Sequence, residues 1–128
     1  MSIPSVPASH LGLKRAYEHP APEDGYRILI DRLWPRGVSK EEAALDDWMK
    51  DVAPSTELRK WFGHDPGRWP EFRRRYRGEL RQHPQELDRI RELARSGHVT
   101  LVYSAHDEQH NDAVVLKNVL LGKDDAGR

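Results

Sequence analysis

The chain of 128 residues contains no cysteine, which excludes structural disulfides and zinc sites built on thiolates. Lysine and arginine together number 21, as do aspartate and glutamate, so no overall charge attracts the protein to nucleic acid or to an anionic membrane. No glycine-rich phosphate loop occurs, and the sequence indicates no cofactor. Any anion-binding site must therefore be built from a local cluster of side chains.

Long apolar runs are also missing. No stretch approaches the roughly 20 apolar residues of a membrane-spanning helix, so we expect no membrane partner. The first ten residues, "MSIPSVPASH", have neither the basic start nor the apolar run of a secretory signal. We therefore expect a cytoplasmic protein.

The length predicts one domain over residues 11–122, with residues 1–10 as a flexible arm and 123–128 as a flexible tail. Strands are predicted at 11–18, 26–34 and 98–105; the second carries Ile28, Leu29 and Ile30 in succession, as expected of a strand buried on both faces. Helices are predicted after Asp65-Pro66, from Pro84, and over Asn111 to Leu121. This alternation indicates an α/β fold: a small, mostly parallel sheet flanked by helices in Rossmann-like layers.

One segment fits two structures. Ser39 and Glu42 form a capping box, after which Leu45, Trp48 and Val52 recur at helical spacing. The acidic residues at 46 and 47 interrupt that pattern, so a strand over 44–52 is the alternative.

Ligands of open α/β sheets bind beyond the carboxyl ends of the strands, and two loops there are unusually polar. The first, "DRLWPRGVSK" (31–40), carries Arg32, Arg36 and Lys40, whose charges predict a receptor for phosphate or carboxylate. The alternative is an internal ion pair between Asp31 and an arginine. Farther along the chain, Arg59 and His64 are candidates for residues that line the same cleft. The structural alternative is that Arg59 is a surface residue and His64 a loop residue near a helix end.

The second loop, "SAHDEQHN" (104–111), has the outline of the zinc-protease motif H-E-x-x-H. That motif needs both histidines on one helix, whereas His106 here ends a strand and His110 lies near the start of the next helix, so we predict no metal site. Asp107 and His110 are instead candidates for acid–base catalysis, with Asn111 as an orienting ligand-binding residue. The structural alternative is that Asp107 caps the last helix, while His110 and Asn111 tie the loop to the backbone.

An arginine-rich helix over 67–82, with "RRRYR" at 73–77, offers a competing function. Arginines interleaved with aromatic residues are typical of nucleic-acid binding, although charge runs also form solvated helix faces. A third alternative is a structural or interaction protein, for instance a homodimer, and a fourth is a metal enzyme that uses His64 and His110.

The stretches "DGYRILIDRLWPRGVSK", "APSTELRKWFGHDPGRWPEFRRRY" and "TLVYSAHDEQHNDAVVLKNVL" resemble, in order and spacing, the bacterial domain of unknown function 488 family in its YeaO-like branch, over residues 11–121. The resemblance implies a compact α/β domain and no established activity. It implies recurrent motif residues at Asp31, Arg32, Trp34, Pro35, Arg36, Gly37, Pro54, Ser55, Arg59, Trp61, Phe62, His64, Tyr76, Asp107, Glu108, His110 and Asn111. The position of His106 is more often Lys or Arg in similar proteins, which argues further against a metal site.

We therefore expect an anionic small molecule, such as a nucleotide or other phosphorylated compound, to bind at the carboxyl edge of the sheet.

Overall fold

The computed structural model describes residues 6–123. This part of the chain forms four strands: β1 (Leu11–Arg15), β2 (Tyr26–Leu29), β3 (Asp47–Trp48) and β4 (Val99–Tyr103). It also forms five α-helices: α1 (Lys40–Ala43), α2 (Thr56–Phe62), α3 (Trp69–Leu80), α4 (Pro84–Ser96) and α5 (Asp112–Leu120). Short 3₁₀ turns lie at Ala8–His10, Pro22–Asp24, Lys50–Val52 and Pro66–Arg68.

The four strands make one sheet in the order β1-β4-β2-β3, and every pairing is parallel. β4 pairs along its whole length with β1, from Leu11 beside Val99 to Arg15 beside Tyr103. All five residues of β4 are buried, as expected of a parallel strand between two neighbours. The α/β class and the parallel sheet predicted from the sequence are confirmed.

The two faces of the sheet are covered unequally. The main core lies on the face covered by the longer helices, where Ile28 and Leu101 pack against α3, α4 and α5. On the other face Leu29 and Val102 form a small cluster with Trp34, because neighbouring residues of a strand point to opposite sides. The long loop between β2 and α1 therefore covers that second face.

The segment after Ser39 corrects one interpretation of the sequence. The capping box is present, since the hydroxyl of Ser39 accepts the N–H of Glu42 and the Glu42 carboxylate accepts the N–H of Ser39. The helix ends after one turn at Ala44, which has a left-handed φ of 47°. The helical interpretation of 45–52 is therefore wrong: Asp47–Trp48 pairs with β2 because Leu45 and Trp48 gain more by packing on the second face of the sheet.

A buried ion network closes the opposite, amino-terminal edge of the sheet. Arg27 is only 3% exposed and donates to the Asp24 carboxylate at 2.6 Å and to the carbonyl of Ala43. Desolvation raises the pKa of Asp24, but the N–H of Ala21 and the side chains of Lys14 and Arg27 outweigh it, so that this pKa is lowered. The network is structural because it lies at the edge away from the polar loops.

The predicted arm and tail lie only partly within the described residues. Val6 packs against the core, and the ring of His10 hydrogen-bonds to the carbonyl of Ala94. Residues 1–5 of the predicted arm and 124–128 of the predicted tail lie outside the described residues.

Candidate functional site

A cavity of about 680 Å³ lies beyond the carboxyl ends of β2 and β4, within the size range of small-molecule sites. Both polar loops contribute to its walls, together with α2, α3 and the start of α5. Of the candidate site residues, seven line it: Arg32, Arg36, Arg59, His64, Asp107, His110 and Asn111. The sequence thus predicted correctly where the polar side chains meet.

Lys40 is the one candidate residue that does not line this cavity. It is the first residue of α1, a helix of four residues that begins at the Ser39 capping box. Its role in anion binding stays a prediction, and the arginines of the same loop are considered without it.

Arg32 is bound to the protein itself. Its guanidinium donates to the carbonyls of Pro54, at 3.2 Å, and Ala53, at 3.4 Å, which ties the loop after β2 to the segment before α2. It contributes positive charge to the cavity wall but has fewer N–H groups left for a ligand.

Arg36 and Arg59 differ from Arg32 in having no side-chain partner within the described part of the chain. Both residues are exposed and line the cavity, and neither guanidinium has a hydrogen-bond or ion-pair partner among residues 6–123. The backbone near Arg36 is held in place because its carbonyl accepts the hydroxyl of Tyr17 at 3.2 Å. Two unpaired guanidinium groups facing one cavity provide up to ten N–H donors in two planar forks, the geometry that suits phosphate and carboxylate.

Asp107 and His110 form a hydrogen-bonded pair in the loop before α5. The Asp107 carboxylate lies 2.8 Å from Nδ1 of His110 and also accepts the backbone N–H groups of Gln109 and His110. The N–H of Gln109, and next the His110 ring, hold the pKa of Asp107 below its ordinary value. An ionised Asp107 requires a proton on Nδ1, so that Nε2 of a neutral His110 is the acceptor. Trp69 packs edge-on against the ring at 5.2 Å, which fixes its orientation.

Asn111, rather than Asp107, caps the last helix. Its side-chain oxygen accepts the N–H of Val114, and its side-chain nitrogen donates to the carbonyl of Asp107. The interpretation of Asp107 as the helix cap is therefore wrong, while the structural alternative for Asn111 is confirmed. Asn111 is 2% exposed and holds the loop in place.

His64 lies at the cavity with a left-handed backbone, φ 57°. It follows Gly63, the residue that ends α2 with φ 54°. Only glycine adopts this conformation without strain, and a strained non-glycine residue at a cavity is a feature of binding sites.

Sequence reasoning overlooked Asp112 and assigned Asp31 only a structural role. Both line the cavity. Burial raises the pKa of Asp112 well above its ordinary value, and the charge of Asp31 raises it further. Asp31 accepts the N–H of Ser104 at 2.8 Å and forms no ion pair with an arginine among residues 6–123, so that alternative is wrong. The available signal was an aspartate at the end of a strand and another at the start of a helix, which is too common to single them out.

Part of the wall is apolar. Phe62 and Phe72 stack at 4.3 Å between ring centres, and both line the cavity, as do Leu33 and Trp34 of the loop after β2. Leu33 is 57% exposed, an unusual exposure for a leucine. Such a wall suits an apolar or flat portion of a ligand.

The arginine-rich helix has internal partners for several of its charges. Glu71 accepts from Arg74 and Arg75, and these bonds lower its pKa to about 2. Arg75 also lies over the ring of Trp61. The nucleic-acid hypothesis stays a prediction, supported by the composition of α3 alone.

Over residues 6–123, no three His, Asp or Glu side chains cluster in a way that could hold a metal ion. In the same part of the chain, no helix is both long and apolar enough to cross a membrane.

A family model described as the inactive DUF488-N3 subclade matches residues 10–127. The uncharacterised protein YeaO of Escherichia coli (strain K12) is 48% identical over 107 residues, which are 84% of this chain and 93% of the relative. The uncharacterised proteins Rv3073c of Mycobacterium tuberculosis and Mb3100c of Mycobacterium bovis are each 39% identical over 118 residues, which are 92% of this chain and 99% of theirs. No solved structure matches the chain.

Proposed function

Because the chain belongs to the DUF488 family, and the subclade that it matches is described as inactive, we propose that it binds a small molecule without converting it. The ligand is anionic, a nucleotide or another phosphorylated compound, and it occupies the cavity beyond the carboxyl ends of β2 and β4. The description of the subclade supports binding over the acid–base catalysis that Asp107 and His110 otherwise suit.

One observation carries the proposal: Arg36 and Arg59, whose guanidinium groups have neither a hydrogen-bond nor an ion-pair partner among the described residues, line the same cavity. Positively charged side chains that line one cavity repel each other, and a bound anion would explain their placement there. Arg32 adds a third positive charge to the wall. Three aspartates, Asp31, Asp107 and Asp112, line the same cavity, so its positive charge lies at the arginines and not over the whole wall.

In this proposal His110 binds the ligand and Asp107 positions it. Nε2 accepts from a ligand hydroxyl when the ring is neutral and donates to a phosphate oxygen when the ring is protonated. The aromatic wall of Phe62 and Phe72 receives the less polar part of the ligand.

Isothermal titration calorimetry with inorganic phosphate and with ribose 5-phosphate, at low ionic strength, tests the proposal. Arg36→Gln and Arg59→Gln each remove one charge-assisted contact, which costs about 1.5–3 kcal/mol, or about 10- to 100-fold in Kd. The matched control is Arg81→Gln, because Arg81 is exposed at the end of α3 and does not line the cavity. Absence of binding to the unmodified protein, or equal affinity of all three variants, would contradict the proposal.

A further inference from the structure

Three histidine rings, those of His64, His106 and His110, line the cavity, and they differ in their partners. Across residues 6–123, the rings of His64 and His106 have neither a hydrogen bond nor an ion pair. Nδ1 of His110, in contrast, lies 2.8 Å from Oδ2 of Asp107. Of these three rings, His110 is therefore the one whose orientation and proton are set by a carboxylate.

The contacts of Asp107 determine which nitrogen of the His110 ring carries the proton. Oδ1 of Asp107 accepts the backbone N–H groups of Gln109 and His110, so the ionised carboxylate acts as an acceptor and Oδ2 faces Nδ1 as one too. A neutral His110 ring then has its proton on Nδ1 and its lone pair on Nε2.

Nε2 of His110 is available to a ligand. Within the part of the chain that the structure describes, it has no hydrogen-bond partner. The side chain is 32% exposed, and the edge-on contact with Trp69 restricts rotation of the ring. The cavity thus contains an oriented nitrogen nucleophile with a free lone pair.

The arginines of the same cavity indicate which group this nucleophile suits. Transfer of a phosphoryl group needs mainly positioning and positive charge around its oxygens. Arg36 and Arg59 line the cavity and supply that charge as planar forks of N–H donors. An uncharged acyl group would gain nothing comparable from them. An imidazole nucleophile and two arginines in one cavity therefore favour a phosphoryl group.

We propose that His110 accepts one phosphoryl group on Nε2 from a small acyl phosphate or phosphoramidate. The lone pair of Nε2 attacks phosphorus and forms the N–P bond. The P–O bond of the acyl phosphate breaks and its carboxylate leaves with the electron pair; from a phosphoramidate, the P–N bond breaks and ammonia leaves. The proton on Nδ1 stays beside Asp107, whose negative charge offsets the positive charge of the substituted ring.

The transfer ends at the protein, so it is a modification of one side chain and not a turnover. It goes beyond the proposed function, which concerns binding alone. It also rests on that function, because Arg36 and Arg59 hold the oxygens of the phosphoryl group.

The test incubates the protein with acetyl phosphate and, separately, with potassium phosphoramidate. Modified residues are mapped by mass spectrometry at alkaline pH, because N–P bonds of histidine hydrolyse in acid. We expect His110 to be labelled at least about tenfold faster than His106, an exposed ring of the same cavity without a carboxylate partner. Phosphorus-31 NMR should place the group on Nε2, and His110→Gln should remove this label.

Asp107→Asn tests the positioning role of the carboxylate. The amide oxygen of asparagine keeps the two backbone N–H groups, so its NH₂ faces Nδ1 and donates to it. The ring proton then moves to Nε2, and labelling of His110 should slow at least about tenfold. Asp88→Asn, the same change at an exposed carboxyl of α4, should leave the rate unchanged.

A measurement without donor protects the test against variants that fold poorly. At alkaline pH, where imidazole rings are neutral, ¹⁵N spectra of the His110 ring should show the proton on Nδ1 in the unmodified protein and on Nε2 in Asp107→Asn. The same tautomer in both proteins would overturn the role of Asp107.

The outcomes separate this proposal from the proposed function. Binding of inorganic phosphate without labelling of His110 by either donor overturns the phosphoryl acceptor alone, whereas absence of phosphate binding overturns the proposed function. Equal labelling of His106 and His110, or a label on Nδ1, also overturns the acceptor. Selective labelling by one donor only supports it with that class of donor.

Discussion

Replacing Asp112 by asparagine should stabilise the protein by an amount that grows with pH. Asparagine has nearly the same shape as a protonated aspartate, so at acidic pH the free energy of unfolding should change by about 1 kcal/mol or less. Above the ordinary carboxyl pKa of 3.8, however, the unfolded protein releases the proton that folded Asp112 retains. Since the folded pKa is raised, the favourable contribution of the acid is complete below the unfolded pKa and is lost as pH rises through the folded one.

The difference in the free energy of unfolding between the unmodified protein and Asp112→Asn changes with pH at a defined slope. In that pH window the folded state binds one more proton than the unfolded state, so the unmodified protein loses up to about 1.4 kcal/mol per pH unit relative to Asp112→Asn. The gap stops growing once Asp112 loses its proton in the folded state.

Urea unfolding followed by tryptophan fluorescence, repeated between about pH 4 and pH 8, measures this slope. Asp88→Asn serves as the control, because that carboxyl is exposed and pairs with Arg91 at the surface. Curves of stability against pH that run parallel for the unmodified protein and Asp112→Asn would refute the reasoning, because they would show that Asp112 titrates alike in both states.

Three further changes test other parts of the structure by the same unfolding assay. Asn111→Ala removes the helix cap and leaves the carbonyl of the loop unbonded, which should cost about 1–3 kcal/mol, whereas Asn118→Ala on the same helix should cost much less. Asp24→Asn leaves buried Arg27 without its counter-charge and should lower the free energy of unfolding by about 3 kcal/mol at neutral pH. Because the pKa of Asp24 is lowered in the folded protein, this loss should shrink as pH falls below 3.8. His64→Gly relieves a left-handed φ of 57° and should stabilise by about 0.5–1 kcal/mol, and a loss of stability would show that the ring of His64 contributes more than the strain.

The fold could be predicted where the hydrophobic pattern of a segment favours one type of secondary structure. The consecutive apolar residues of β2 and β4 fit only buried parallel strands, and α4 begins at Pro84 as its sequence indicates. The segment after Ser39 was not predictable in the same way. Its residues fit a helix and a strand equally well, and the choice is made by packing against the second face of the sheet, which is a long-range interaction.

The location of the site could be predicted from the topology of the sheet, whereas its chemistry could be predicted only in part. The carboxyl ends of parallel strands meet at one edge, so the arginines at 32 and 36 and the loop of Asp107 had to converge there. Which side chains bind a ligand and which bind the protein depends on distances of a few ångströms. Asn111 caps a helix, and the raised pKa of Asp112 depends in part on a neighbour 81 positions away in the sequence, Asp31.

We propose above all that an anion binds at Arg36 and Arg59, the two cavity arginines whose guanidinium groups have neither a hydrogen-bond nor an ion-pair partner in the described structure. Heteronuclear NMR of ¹⁵N-labelled protein titrated with ribose 5-phosphate tests it most directly, since arginine Nε–Hε signals and backbone amides are observed together. We predict saturable shifts at the side chains of Arg36 and Arg59 and at the amides of residues 104–112, with a Kd of about 1 mM or tighter. Shifts confined to the arginines at 73–77, or no shifts at all, would contradict the account.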